Sequence, residues 1–175
     1  MPLRATRNLA ELDAELAVPS MADVAEVRRI HEDPRTQQFN PAGPPTPKAS
    51  EEMLRTWVSD WSVHQLGYHL VRDSRSQALL GVAGLRFNGE YDGERRIANL
   101  YYRFAPEAWG RSRATTVARE CIEELRLRGN PVLVVALIHE DNRASARVAQ
   151  RSGLQLHGTV PYRESHRQRW LLALN

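Results

Sequence analysis

At 175 residues, 42% hydrophobic and 26% charged, the chain has ordinary globular composition and enough length to bury a core, which points to one domain over 1–175 with residues 1–10 as a loose arm. A net charge of +3 is too mild for a nucleic-acid binder, and no apolar run reaches the roughly 18 residues that a membrane span needs. The opening MPLRATRNLAELDAEL has no apolar segment of the secretion-signal kind, so the expected location is the cytoplasm.

Leu12, Ala14, Leu16 and Val18 alternate, which predicts a first strand over 12–18. Ser20 and Asp23 form a variant capping box, and Val24, Val27 and Ile30 share one helical face to about Glu32. Asp33-Pro34 stops that helix, because proline lacks a backbone donor and restricts its predecessor. Residues 35–49, with prolines at 41, 44, 45 and 47, read as a stiff loop that either walls a groove or only joins two helices. A second helix is predicted from about Ser50 to His64, with Leu54, Trp57, Val58 and Trp61 on one face. Strands follow at Gly67–Arg72, Ala78–Phe87 and Ile97–Phe104, with a turn cluster at 88–93. Gly81 and Gly84 mark a bulge or a close approach within the second of these.

The next helix carries Ala114, Val117, Ala118, Cys121, Ile122 and Leu125 on one face. Cys121, the single cysteine, reads as a buried structural thiol; it excludes an internal disulfide and a cysteine metal site. The six histidines make no metal spacing, so no metal is expected. Gly129 and Pro131 separate the helix from Val132–Ile138, an unbroken β-branched run of the kind buried on both faces. Strand, helix and buried strand make a βαβ unit, so 97–104 and 132–138 are expected to be parallel neighbours. A short helix from Asn142 to Ser152 and strands at 154–160 and 166–174 close the chain.

The turn Trp109-Gly110-Arg111-Ser112-Arg113-Ala114 opens onto a helix N-terminus, where unpaired N–H groups and the helix dipole favour an anion. An ordinary helix start with two solvated arginines is the alternative. The arginine-rich balance, with Lys48 the single lysine, suits an anionic ligand.

Three segments stand in order: APEAWGRSRA after a strand, HEDNRAS after the buried strand, and SGLQLHG beyond it. Together they resemble the GNAT superfamily of N-acetyltransferases, in particular its RimJ/RimL-type branch, over about 12–175. The resemblance implies an α/β fold: a mixed sheet of about six or seven strands, splayed between two parallel strands and flanked by about four helices. It implies acetyl-CoA as co-substrate and direct transfer to a primary amine, a protein N-terminus or a small molecule. Homodimers are common in that branch, and neither membrane nor nucleic acid is an expected partner. The backbone of Tyr102, Arg103 and Phe104 would pair with the pantetheine arm and supply an oxyanion donor. Gly110, Arg111, Ser112, Arg113, Ala114 and Thr115 would hold the pyrophosphate, Asn142 would bond pantetheine, and Ser145 would lie near the sulfur as its proton donor. The alternative for Ser145 is a hydroxyl bonded back to its own helix.

Two departures stand out. The family pattern has glycine where this chain has Ser112, a cost if the position needs φ > 0. The family's tyrosine seven residues after the asparagine is Ala149 here. Candidates for the general base are Glu140, His139, Glu90, Asp92 and Tyr101. A non-catalytic CoA-binding domain is the alternative reading of these departures.

Overall fold

The computed structural model describes residues 6–40, 42–162 and 165–174. Eight strands form a single sheet in the order β1-β2-β3-β4-β5-β6-β8-β7. They are β1 (Thr6–Leu9), β2 (Ala14–Ala17), β3 (Tyr68–Asp73), β4 (Leu79–Asp92), β5 (Arg95–Phe104), β6 (Val132–His139), β7 (Gln155–Tyr162) and β8 (Ser165–Leu174). Every neighbouring pair is antiparallel except β5 and β6. The helices are α1 (Val24–Glu32), α2 (Pro34–Gln37), α3 (Pro47–His64), α4 (Arg113–Leu127) and α5 (Arg143–Arg151). The expected mixed α/β class holds, with α4 as the crossover between the two parallel strands.

Four local expectations change. Residues 6–9, read as part of a loose arm, are a strand that pairs with β2; residues 1–5 of that arm lie outside the described residues. Four residues with no alternation carry no strand signal of their own, and pairing supplies it. Pro34 does not only stop α1. It occupies the first position of α2, where its missing donor costs nothing, and Asp33 caps that helix by accepting from the Arg35 N–H at 2.9 Å. By the same logic α3 begins at Pro47, three residues before the expected start, with Thr46 capping it. Residues 88–92, read as turn, continue β4 through a bulge, and the hairpin turns at Gly93-Glu94 instead.

Two cores sandwich the sheet. On one face α4 buries Val117, Ala118, Cys121, Ile122 and Leu125 against Leu85, Ala98, Leu100, Phe104 and Val134. The Cys121 thiol is thus interior, as its helical spacing predicts. On the other face α1 and α3 bury Val27, Ile30, Leu54 and Trp57 against Tyr68, Leu70 and Val82. Asp23 of the predicted capping box accepts from the Ser20 N–H at 2.7 Å and also pairs with Arg72 at 2.6 Å, tying the start of α1 to β3. Among the described residues, no helix is long and apolar enough to cross a membrane.

Candidate functional site

The parallel pairing of β5 with β6 is short. It runs from Arg96 opposite Val132 to Asn99 opposite Val135 and then stops, although β5 continues to Phe104 and β6 to His139. The two strands part there, and a cleft of about 520 Å3 opens beside the gap, a size that suits a small-molecule or cofactor site. All eleven residues proposed from the sequence line it: Tyr102, Arg103 and Phe104 from β5; Gly110, Arg111, Ser112, Arg113, Ala114 and Thr115 from the turn into α4; Asn142 and Ser145 from α5.

Ladder alternation decides what β5 can offer. The Ala105 N–H donates to the Leu80 carbonyl at 2.8 Å. Along an antiparallel ladder such groups alternate sides, so Arg103 turns its backbone toward Val82, its partner on β4, while Tyr102 and Phe104 turn theirs to the gap. Arg103 therefore brings its side chain to the cleft, not a backbone edge, which corrects the expectation for that residue. The Phe104 carbonyl already accepts from Trp109 Nε1 at 2.8 Å, which leaves its N–H and both groups of Tyr102 facing the gap.

The turn before α4 is built for close approach. Gly110 has φ 78° and nothing within 4 Å of where a Cβ would stand. Ser112 caps α4 with φ 55° and makes no side-chain hydrogen bond to the helix start. The N–H groups of the first turn thus keep their donors for an incoming anion. Arg111 is exposed, but Arg113 is buried and gives Nη1 to the Ala108 carbonyl at 3.3 Å. Its guanidinium braces the turn from beneath and does not reach out as expected for a phosphate ligand. Because Ser112 does need the left-handed region, Ser112→Gly is expected to stabilise the fold by roughly 0.5–1 kcal/mol, the relief of strain less the added freedom of the unfolded chain. Thermal unfolding reads this as a rise of about 1–4 °C; a fall would show that the hydroxyl holds the turn.

On α5, Asn142 Oδ1 accepts from the Ser145 N–H at 3.0 Å, which caps the helix and leaves Nδ2 without a partner among the described residues. Tyr102 reaches across and donates its hydroxyl to the Ser145 carbonyl at 2.7 Å; burial holds that phenol protonated well above its usual range. The Ser145 hydroxyl bonds no carbonyl of its own helix, in contrast to Thr56 and Ser62 on α3.

None of the five base candidates lines the cleft. Glu90 and Asp92 sit on the exposed β4–β5 hairpin, Asp92 opposite Arg95, at the far end of β5. Glu140 is exposed. His139 is nearer, with its ring 5.6 Å from that of Phe39 in the cleft wall, but its Nδ1 accepts the Asp141 N–H at 3.3 Å. Tyr101 points to the other face of the sheet and donates to His31 Nε2 at 2.8 Å. His31 Nδ1 lies 2.8 Å from the Val27 carbonyl, which only accepts, so the ring is the neutral Nδ1–H tautomer. Burial pushes the His31 pKa down to about 4, assisted by the charge of Arg103.

The far wall bears on the two readings left open for residues 35–49. Arg35, Thr36, Gln38 and Phe39 line the cleft from α2 and the residue pair after it, so the start of the 35–49 loop is groove wall and its proline-rich remainder leads into α3. Arg147 and Arg151 line it from α5. Sequence reasoning missed both; their i, i+4 spacing, each three residues after Ala144 or Val148, was the available signal.

A family model described as an acetyltransferase (GNAT) domain matches residues 15–155. A protein from Bordetella pertussis, described as a GNAT-family acetyltransferase, superposes with a TM-score of 0.77 at 22% identity, covering 96% of this chain and 99% of that one. The ribosomal-protein-S5-alanine acetyltransferase from Vibrio fischeri gives 0.77 at 13%, covering 97% of each chain. A phosphinothricin acetyltransferase from Sinorhizobium meliloti in complex with acetyl-CoA gives 0.73 at 16%, covering 93% and 89%. At these identities the three structures share the fold. With a splayed parallel pair, an anion-ready turn and a family match over most of its length, the chain belongs to the GNAT acetyltransferase family and is an acyltransferase dependent on acetyl-CoA.

Proposed function

We propose that the protein transfers the acetyl group directly to a primary amine, with donor and acceptor held together in the cleft between β5 and α5. The observation that carries this reading is the end of β5–β6 pairing at Asn99 and Val135, beside the turn into α4. The residues present fit acetyl-CoA. Tyr102 offers an unpaired N–H and C=O to the amides of an extended arm, as a strand edge does to a peptide. Asn142 Nδ2 adds a donor on the opposite wall. Gly110 lets the backbone close on a pyrophosphate, the first-turn N–H groups of α4 satisfy its oxygens, and Arg111 adds charge-assisted bonds. When bound, acetyl-CoA supplies a thioester, an acyl group activated toward amines. The Phe104 N–H is placed to stabilise negative charge on a carbonyl oxygen. The Ser145 hydroxyl, uncommitted to its helix, gives a proton toward the departing sulfur. No side chain among the candidates lines the cleft as a base, so the amine gives its proton to water.

The acceptor is either a protein N-terminus, as in the RimJ/RimL branch, or a small amine. The names of the similar structures include both kinds, an S5-alanine acetyltransferase and a phosphinothricin acetyltransferase. The test is thiol release from acetyl-CoA by the purified chain over a panel of N-terminal peptides, amino acids and polyamines, with the product weighed by mass spectrometry. Amine-dependent release with a 42-Da gain on the amine, the mass of an added acetyl group, is the expected result. Release that ignores the amine, or an acetylated protein side chain turning over in its place, would overturn direct transfer.

A further inference from the structure

Alternate residues of β5 serve the two faces of the sheet. Phe104 and Leu100 pack with α4, whose N-terminal turn faces the cleft. Tyr101 packs with the α1 and α3 core, and Arg103 shares that parity. The side chain of Arg103 therefore enters the cleft from the face opposite the anion-ready turn. Its Nη1 is buried and has no hydrogen-bond partner among the described residues. Nor does any carboxylate pair with it there, whereas Arg72 is neutralised by Asp23 and Glu26 at 2.6 Å each, and Arg86 by Asp60 at 2.7 Å. Within the same wall, Arg35 holds Asp33 and Glu107 at 2.7 and 2.8 Å. Arg103 interacts with Tyr101 and His31, and both are neutral.

A cation drawn out of water without a counter-charge loses hydration that nothing on the chain restores. A ligand restores it if the ligand brings the charge. The phosphates of acetyl-CoA belong at the α4 turn, across the sheet, so the charge must come with the other reactant. One planar guanidinium beside neutral rings matches a monoanion with two in-plane oxygens; a phosphate dianion calls for more donors than this wall offers.

We propose that Arg103 sets acceptor specificity by binding a carboxylate, so that the amine acetylated by this protein carries an acidic group. This rests on the acetyl-transfer reading above and names its substrate class. Arg103 holds the acceptor from the α1 side while the acetyl donor lies along β5 and the α4 turn.

The test uses matched amines that differ only in charge: amino acids against their amides, dipeptides with aspartate against asparagine, and phosphoethanolamine against ethanolamine. For the carboxylate member of the amino-acid and dipeptide pairs, KM is expected to be at least ~10-fold lower with kcat little changed, as for binding lost equally from ground and transition states, while phosphoethanolamine gains no such advantage over ethanolamine. Arg103→Gln abolishes that preference, Arg103→Lys keeps part of it, and KM for acetyl-CoA stays unchanged in both. A second arm needs no turnover. Propionate, against chloride at equal ionic strength, raises the melting temperature of the acetyl-CoA-saturated wild type and leaves Arg103→Gln unmoved. Turnover of amines without regard to charge, a preference that survives in Arg103→Gln, or a preference for phosphate would overturn the assignment while leaving acetyl transfer intact. Failure of every amine with a propionate shift present would instead count against acetyl transfer and for the carboxylate site; failure of both would remove both.

Discussion

Taking the protein from pH 7 to pH 4 is expected to cost about 3 kcal/mol of stability through one side chain, His31. In the fold its pKa lies near 4; in the unfolded chain it returns to 6.5. The folded value is the depressed one, so the unfolded chain takes up the proton first. Stability is therefore full above pH 6.5, declines as pH falls toward 4, and loses nothing more from this group below that. The cause is geometric. The ring is 3% exposed, its Nδ1–H is committed to the Val27 carbonyl, and Nε2 must stay unprotonated to accept from Tyr101. Protonation would give Nε2 a hydrogen facing the Tyr101 hydroxyl beside the charge of Arg103. Asp33, Asp73 and Glu107 are also held below their usual values by hydrogen bonds, so their contribution has the same sign, fading as pH falls through and below the usual carboxylate range at the acid end of this window. Urea unfolding across pH 7 to 4 measures the effect, and His31→Gln should flatten the slope between 6.5 and 4. Parallel slopes for the two proteins would show that the histidine is not its source.

Gly81→Ala is expected to cost about 3 kcal/mol and to lower the melting temperature by about 6–12 °C. Gly81 stands opposite Phe104 in the β4–β5 ladder. An added Cβ would lie 2.5 Å from Phe104 Cδ1 and 2.8 Å from the Arg103 carbonyl oxygen. The ring can swing, but the backbone oxygen cannot without breaking the ladder. Phe104 is also cleft wall, so the substitution should raise KM for acetyl-CoA as well. A variant that melts within 2 °C of the parent would mean that the wall yields freely, and KM should then not move.

The elements that could be read in advance carry local signals. The 3.6-residue period of α4 and the β-branched run of β6 announced a βαβ unit, and that unit places the turn, the parallel pair and hence the cleft. Elements that could not be read depend on partners distant in sequence. The strand at Thr6–Leu9 exists because β2 lies beside it. His31 and Tyr101 are 70 residues apart in the chain, and only the packing of α1 on β5 makes them a pair. The three residues 102–104 looked interchangeable as a strand edge. Which of them shows its backbone to the gap and which its side chain is set by register with β4, a property of two segments together. Thr46-Pro47 and Arg147/Arg151 are different: cap chemistry and helical spacing made both legible in the sequence alone.

Among the described residues, four rungs, Arg96–Val132 to Asn99–Val135, are all that join the five strands β1–β5 to the three strands β6, β8 and β7 within the sheet. Beyond those rungs the two halves are held by side chains: the crossover helix packed on both, and Tyr102 hydrogen-bonded to α5. A ligand that lends its own amides to the exposed edge of β5 therefore extends the ladder as a ninth, non-protein strand. Its arrival changes the mechanical continuity of the whole sheet. Stiffness along the sheet, and the slow opening of its central strands, become properties of the complex and not of the chain alone.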